Sequence, residues 1–377
     1  MTSRLPAVGT SIFTRMTSLA NAVNALNLSQ GFPGFEPDPQ LTDRLAYHAS
    51  HGKNQYSPAA GVPELRNQLA LKYGYDADTE ITVTAGASEA LFSAIAAVVS
   101  AGDEVIIIEP AYDLYIPAVQ LQGGVPVFVS MKYPDFTIDW QEVQDKITAR
   151  TRLIVLNSPH NPTGKVLTAA DISALEHLLE RHPGLFIVSD EVYEHILFDG
   201  RQHLSLSQSP VLRQRTFICN SFAKTYHITG WKTGYCLAPE SLTRELRKIH
   251  QYITFCTFTP AQYALADYLE STRSHLALST FYTKKRDLFL EALDPEVFRP
   301  LPSEGTFFQN LSYAHLSGRP DLEVSTLLTE KIGVASIPVS VFYSGHTDHH
   351  ILRFCFAKDD DTLLEAAQRL NRAGHFL

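Results

Sequence analysis

The sequence predicts an α/β protein built on a largely parallel sheet covered by helices on both faces. Three observations carry this. Short apolar runs of strand length recur at residues 81–84, 105–108, 125–129, 153–156, 185–188 and 216–219. Helical stretches separate them. Polar or glycine-bearing motifs stand just beyond several of the runs, where open α/β sheets bind their ligands.

The elements follow in order. Residues 1–40 are rich in Gly, Pro and Asn and read as an irregular arm packing on the body or on a second subunit. Residues 63–72 predict a helix with Pro63 near its start. The strand at 81–84 leads through Gly86 into residues 87–100, a nearly all-apolar and therefore buried helix. Residues 169–181 predict a helix between strands, and a long amphipathic helix follows Pro260. A change of register near residues 281–286 leads into a second, smaller region. There 305–308, 334–337 and 350–356 read as strands and 361–373 as a final helix. This gives an arm over 1–40, a large domain over 41–280 and a small α+β domain over 281–377 that the arm joins.

A hydrophobic content of 45% over 377 residues supplies a sizeable core. Lys and Arg number 31 against 40 Asp and Glu, a net charge of −9, which speaks against a general nucleic-acid binder. Cys219, Cys236, Cys256 and Cys355 form no C-x-x-C pair and read as reduced thiols. The histidines lack metal-ligand spacing, so no metal is assigned. No apolar run reaches membrane-span length, and the N-terminal stretch has no apolar h-region. A cytoplasmic protein without a membrane partner is expected.

The chemistry centres on Lys224 in Ser221-Phe-Ala-Lys224-Thr. Upstream, Ser189-Asp190-Glu191-Val192-Tyr193 and Asn161-Pro-Thr-Gly164 also follow apolar runs. An amine, an acid, a phenol and an amide beyond strand ends are the equipment for holding pyridoxal phosphate. Lys224 suits a Schiff base. Asp190 suits a pyridinium nitrogen, or alternatively a helix N-cap or structural ion pair. Tyr193 and Asn161 suit the ring's 3-oxygen, although Asn-Pro-Thr-Gly is also an ordinary turn. The glycine turn at Gly86, with Ala87 and Ser88 opening a helix, favours an anion. Ser221 and Lys232 could serve the same phosphate. Tyr112 could stack on the ring or fill a core. Arg353, inside an apolar strand, clamps a carboxylate or makes an internal salt bridge. Phe13, Phe32, Tyr112 and Phe342 offer apolar walls for a substrate.

In their order along nearly the whole chain, these motifs resemble the fold-type I pyridoxal-phosphate aminotransferases. The carrying phrases are Gln30-Gly-Phe-Pro33, Asn54-Gln-Tyr56, Ala85 to Ala90, Tyr112, Asn161 to Gly164, Ser189 to Tyr193, Ser221 to Thr225, Gly230 to Tyr235 and Arg353 to Lys358. Within that class they are most similar to the branch of methionine aminotransferases and kynurenine aminotransferases/glutamine transaminases K. The resemblance implies a seven-stranded, mostly parallel sheet in the large domain. It implies Lys224 as Schiff-base lysine and proton shuttle, Asp190 at the pyridine nitrogen, and Asn161 and Tyr193 at the 3-oxygen. It places Tyr112 on the ring and Gly86, Ala87, Ser88, Ser221 and Lys232 at the phosphate. It puts Arg353, Asn161 and the Gly31 backbone at the substrate carboxylate, and Tyr56 at a partner subunit's phosphate in a homodimer. The activity implied is transfer of the amino group of methionine, glutamine, phenylalanine, tyrosine or kynurenine to a 2-oxo acid. The rivals are a cysteine-conjugate β-lyase and a non-catalytic regulator on the same fold. Lysine at position 232 stands where some relatives carry arginine. No basic residue adjoins Gly31-Phe32-Pro33 in the sequence to grip an acidic side chain.

Overall fold

A computed structural model describes residues 2–6 and 8–377; Met1, the first residue of the arm, lies outside them. The short strand β1 (Leu26–Asn27) stands apart from the main sheet. The next seven build it: β2 (Ile81–Thr84), β3 (Glu104–Glu109), β4 (Val125–Ser130), β5 (Thr151–Asn157), β6 (Phe186–Asp190), β7 (Thr216–Ser221) and β8 (Gly234–Leu237). Their spatial order is β2-β8-β7-β6-β5-β3-β4. Only β8 runs antiparallel to its neighbours.

The six predicted apolar runs are all strands. β3, β6 and β7 are buried almost throughout, as an interior parallel strand of Val and Ile requires. The strands run further than the apolar signal did. Asn157, Asp190 and Ser221 end β5, β6 and β7 as members of the ladder. The sequence reading missed β8, a four-residue strand that begins on a glycine.

The helix Ala169–Arg181 has the predicted bounds, fixed by a capping box between Thr168 and Asp171. Ala87–Val98 is buried along one side through Ala90, Leu91, Ala94 and Ile95. Among the helices that the sequence did not announce are Pro39–Ser50, Glu240–Ile253 and, inside the supposedly irregular arm, Ile12–Ala22. The last is capped by Ser11, whose hydroxyl accepts from the Thr14 N–H at 3.2 Å.

The C-terminal region carries a four-stranded antiparallel sheet and a separate pair. β9 (Arg299–Pro300), β10 (Phe308–Ser312), β12 (Ile337–Pro338) and β13 (Ile351–Cys355) form the sheet in the order β12-β13-β10-β9, and β11 (Val334–Ala335) pairs with β1. Two expectations are corrected here. Residues 305–308 are not a strand: β10 starts at Phe308, and Gly305 makes only one bridge, to Leu197. A Cβ on Gly305 would lie 2.8 Å from the Ile196 carbonyl, and Thr306 turns the chain at φ +71. Residues 334–337 split into β11 and β12, which belong to different sheets. The final helix spans Asp360–Leu370, and residues 281–286 lie inside the unbroken helix Leu278–Glu291. Leu28 of the arm is buried in an apolar cluster with Phe307, Phe308, Leu352 and Phe354. Among the described residues no helix is long and apolar enough to cross a membrane. All four cysteines are free thiols.

Candidate active site

One edge of the main sheet collects the chemistry. β2, β3, β5, β6 and β7 all end there, so Thr84, Glu109, Asn157, Asp190 and Ser221 mark it, and the register pairs Asn157 with Asp190 and Ser221 with Gly234. A cavity of about 300 Å³ opens at this edge. It is lined by Phe13, Gly31, Gly86, Ala87, Ser88, Tyr112, Asn161, Asp190, Tyr193, Ser221, Lys224, Lys232 and Arg353; apart from the predicted walls Phe32 and Phe342, that is every predicted site residue but one. The exception, Tyr56, is 85% exposed and lines a different depression with residues 256–260.

Lys224 projects from the single-turn helix Phe222–Thr225 just beyond β7. Its Nζ donates to the Gly31 carbonyl at 2.9 Å. Burial pulls the ammonium down to about 8, with Arg353 and Lys232 adding to the effect and Cys355 and Asp190 opposing it. About a tenth of it is therefore free amine at pH 7, some hundredfold more than for an ordinary lysine. Asp190 is buried at the end of β6. Its carboxylate accepts from the Tyr115 hydroxyl at 2.7 Å and from the Val192 N–H at 3.3 Å. Burial pushes it up to about 6, against the pull of Tyr115, Val192 and Lys224. No helix starts after it, and among the described residues no cation pairs with it. Both structural alternatives for Asp190 are thereby removed. Its backbone is tied down as well: the Asp190 carbonyl accepts from Asn157 Nδ2 at 2.8 Å and the Ser158 N–H at 3.0 Å.

The anion end lies where β2 turns into Ala87–Val98. Gly86 is the N-cap at φ +81 with no side-chain cap, so the first-turn N–H groups face the cavity without a capping acceptor. Lys232 is exposed along part of its length, yet its Nζ would lie 3.4 Å from a Cβ on Gly86. Gly234 lets β8 pass directly beneath, since a Cβ there would sit 2.7 Å from the Ala87 nitrogen. Glu89 holds the turn from the helix side by accepting from the Ala85 N–H at 2.5 Å. Its other oxygen meets His250 Nδ1 at 2.5 Å, while His250 Nε2 meets the Ala59 carbonyl at 2.7 Å. Both ring nitrogens face acceptors. Burial pulls this imidazole down, but the Glu89 carboxylate and the Ala59 carbonyl outweigh it and leave the pKa raised.

At the other end, Arg353 is 1% exposed in β13. Its guanidinium donates to Asn161 Oδ1 at 2.6 Å and to the Ser29 carbonyl at 3.1 Å, and Nε has no partner. The carbon lies 3.9 Å from the Phe308 ring centre and 5.3 Å from those of Phe13 and Phe342. No carboxylate pairs with it among the described residues, which removes the internal salt bridge. Asn161 is oriented from both ends: its N–H donates to Asn157 Oδ1 at 2.6 Å and its Oδ1 accepts from Arg353. Tyr193 is buried edge-on against Phe307 at 5.2 Å.

Two sequence expectations fail here. Phe32 and Phe342 do not line the cavity; Phe32 is 37% exposed and lies beneath Lys358 Nζ at 4.2 Å, and Phe342 stands behind Arg353. Conversely, a basic residue does stand beside Gly31-Phe32-Pro33. The fold brings Lys358 there from the far end of the chain, where its Nζ donates to the Phe32 carbonyl at 3.0 Å. Tyr115, Asn157, Phe308 and the Ser29 carbonyl were not singled out. The spacing of Tyr112 and Tyr115 at the mouth of a strand was the available signal for Tyr115. Phe308 is brought in by a tertiary crossing that no local pattern announces.

The donor set fits pyridoxal phosphate. Uncapped N–H groups, Ser88, Ser221 and Lys232 cluster at one end. Tyr112 and an unpaired buried acid line the middle, with a partly deprotonated amine close by. An orphaned guanidinium Nε marks the far wall. Comparison with known proteins agrees. The aminotransferase class I and II family profile matches residues 23–370. Methionine aminotransferase of Escherichia coli is 49% identical, over 98% of this chain and 97% of its own length. Kynurenine–oxoglutarate transaminase of Dictyostelium discoideum is 36% identical, over 96% and 94%. A solved structure reported as an Escherichia coli methionine aminotransferase superposes with a TM-score of 0.96 at 48% identity, covering 99% of both chains. The chain therefore belongs to the class I and II aminotransferases, pyridoxal-phosphate-dependent enzymes that move an amino group between amino acids and 2-oxo acids.

Proposed function

We propose that this aminotransferase takes methionine, glutamine, kynurenine and the aromatic amino acids as donors. The observation that carries the reading is Arg353, a buried guanidinium without a carboxylate partner, walled by Phe13 and Phe308 in the cavity that Lys224 enters. Arg353 binds the donor's α-carboxylate, with Asn161 and the Gly31 backbone beside it. The aromatic walls take a thioether or a ring. Pyridoxal phosphate, when bound, supplies a carbonyl for amine exchange and an electron-withdrawing ring. Gly86, Ala87, Ser88, Ser221 and Lys232 would hold its phosphate, Tyr112 its face, Asn161 and Tyr193 its 3-oxygen, and Asp190 its ring nitrogen. Lys224 Nζ takes the α-proton from the donor carbon, which its depressed pKa permits near neutral pH.

The names of the relatives quoted above support methionine and kynurenine as donors, and the geometry supports rejection of acidic side chains. Of the cavity's three cations, Arg353 takes the α-carboxylate, Lys224 moves the proton and Lys232 sits at the anion end. Lys358 is turned to the Phe32 carbonyl. A second carboxylate would be buried without a partner, at a cost of ~3 kcal/mol or more. In a donor panel, aspartate should show kcat/KM at least ~100-fold below methionine. The highest value for aspartate would reject the reading.

We also infer a homodimer with a shared site. Tyr56, Tyr252, Ile253, Phe255 and Phe258 are all exposed, and Tyr56 packs edge-on against Phe255 at 5.4 Å. An aromatic patch of this kind calls for a cover, and a second copy bringing Tyr56 to the partner's phosphate supplies one. Tyr56→Phe should weaken cofactor affinity about tenfold, the scale of a hydrogen bond to a charged group. Mixing Lys224→Ala with Tyr56→Ala subunits should recover activity, because each hybrid dimer then contains one intact site. A fully active monomer in sedimentation would contradict it. Four free thiols support the expected reducing, cytoplasmic setting.

A further inference from the structure

We propose that Tyr115 is a positioning residue that keeps Asp190 charged and aimed into the cavity, and so sets whether the ring nitrogen of the bound cofactor carries a proton. The inference rests on the reading that Asp190 faces that nitrogen.

The geometry is specific. Tyr115 opens the helix Tyr115–Leu121, is 2% exposed and does not line the cavity, whereas Asp190 does. The carboxylate therefore stands between the cavity and the phenol, and the phenol approaches it from the protein side. The Tyr115 hydroxyl donates to Asp190 Oδ2 at 2.7 Å, and this is its only hydrogen bond among the described residues. Its ring is fixed edge-on to Tyr112 at 5.8 Å and 76°, so the hydroxyl has little freedom to swing away. The backbone N–H of Val192 on the other oxygen is longer, at 3.3 Å.

The groups around Asp190 leave Tyr115 as the main support of the charge. Lys224 favours the carboxylate from beyond β7, but its amine is partly neutral. Glu191, next in the chain, disfavours it, although that carboxylate is turned away to Ser189 and His203. Tyr193 and the Cys219 thiol, both buried, and the half-buried Tyr112 are neighbours whose own ionisation is pushed up partly by Asp190, so they remain neutral. Burial drives the Tyr115 phenol well above its ordinary range, so it stays a donor at every working pH. A hydrogen bond to a charged buried group is the strong kind, and its loss leaves the charge under-solvated. Without it Asp190 moves towards its neutral form, which cannot hold a proton on the ring nitrogen.

The test uses the holoenzyme loaded with cofactor labelled with ¹⁵N in the ring. Tyr115→Phe removes one oxygen and keeps the packing. We expect the ring-nitrogen signal to move towards the unprotonated position. Cofactor affinity should fall about tenfold, and the pH below which affinity declines should rise by about one unit. Replacing Tyr115 with 3,5-difluorotyrosine, a stronger donor, should move that pH the opposite way, an effect that loosened packing does not produce. An unchanged nitrogen signal and an unchanged acidic limb in Tyr115→Phe would overturn the proposal. Asp190→Asn separates the two readings. If it leaves the nitrogen signal unmoved, the placement of Asp190 is wrong. If it moves the signal and Tyr115→Phe does not, only the role of Tyr115 falls.

Discussion

Lys224→Ala should abolish turnover, with a loss of at least ~10⁴-fold, while the protein still binds pyridoxal phosphate non-covalently. The size follows from removing the proton-moving group altogether, a term worth ~10²–10⁴-fold by itself, together with the covalent anchor. Retained binding follows from the separate anion end, where the Gly86 turn, Ser221 and Lys232 do not depend on the Lys224 side chain. Reduction of the wild-type holoenzyme with borohydride, followed by peptide mapping, should place the label on Lys224. The chemistry favours it over Lys232. Lys224 is half-buried and desolvation pulls its ammonium down to about 8, whereas Lys232 is exposed and its Nζ lies at the Gly86 turn. A pH series adds a second check. The amine of the cofactor-free protein should gain reactivity towards aldehydes as pH rises through about 8, more than two units before an ordinary lysine does. A label on Lys232, or half-maximal reactivity above pH 10, would sink the assignment.

Much of this site could be read in the sequence because its parts sit at strand ends, and strand ends are local. Asp190 and Asn161 are announced by the aliphatic runs before them, and Gly86 by the helix after it. Arg353 was visible as a charge inside an apolar strand, and the structure removes the rival explanation by giving it no acid. What the sequence hid was tertiary. Lys358 reaches Phe32 across most of the chain, and Phe308 crosses over Arg353. Neither contact has a periodicity to betray it. The missed elements have physical reasons too. β8 is four residues long and starts on Gly234, whose missing side chain is needed beneath Ala87 and is also a poor strand signal. The arm helix Ile12–Ala22 is short and flanked by Gly and Asn, so its local propensity is faint, and burial of Met16 and Ala20 supplies its stability.

Asp190→Asn should slow the half-reaction with any good donor by at least ~100-fold, the scale of other fixed-charge terms near 3 kcal/mol. An amide has the same size and still accepts from Tyr115, but it cannot stabilise a proton on the ring nitrogen. A rate within threefold of wild type would reject the role. The same substitution should act in the opposite direction on the cofactor-free fold. Asp190 is pushed up to about 6 by burial, so its charge costs the folded state stability. The sign follows from the direction of the shift. A carboxyl raised on folding binds its proton more tightly in the folded state, so the penalty is absent in acid, grows as pH rises from about 4, the ordinary carboxyl value, to about 6, and is constant above that. Above that pH the cofactor-free variant should melt no lower than cofactor-free wild type, and near pH 4 the two should converge. With cofactor bound the order should reverse, because the buried carboxylate then has the partner it lacks. A cofactor-free variant that melts well below wild type at pH 8 would mean that the Asp190 charge is already satisfied within the protein. Its carboxylate would then be structural, and its assignment to the ring nitrogen would fall.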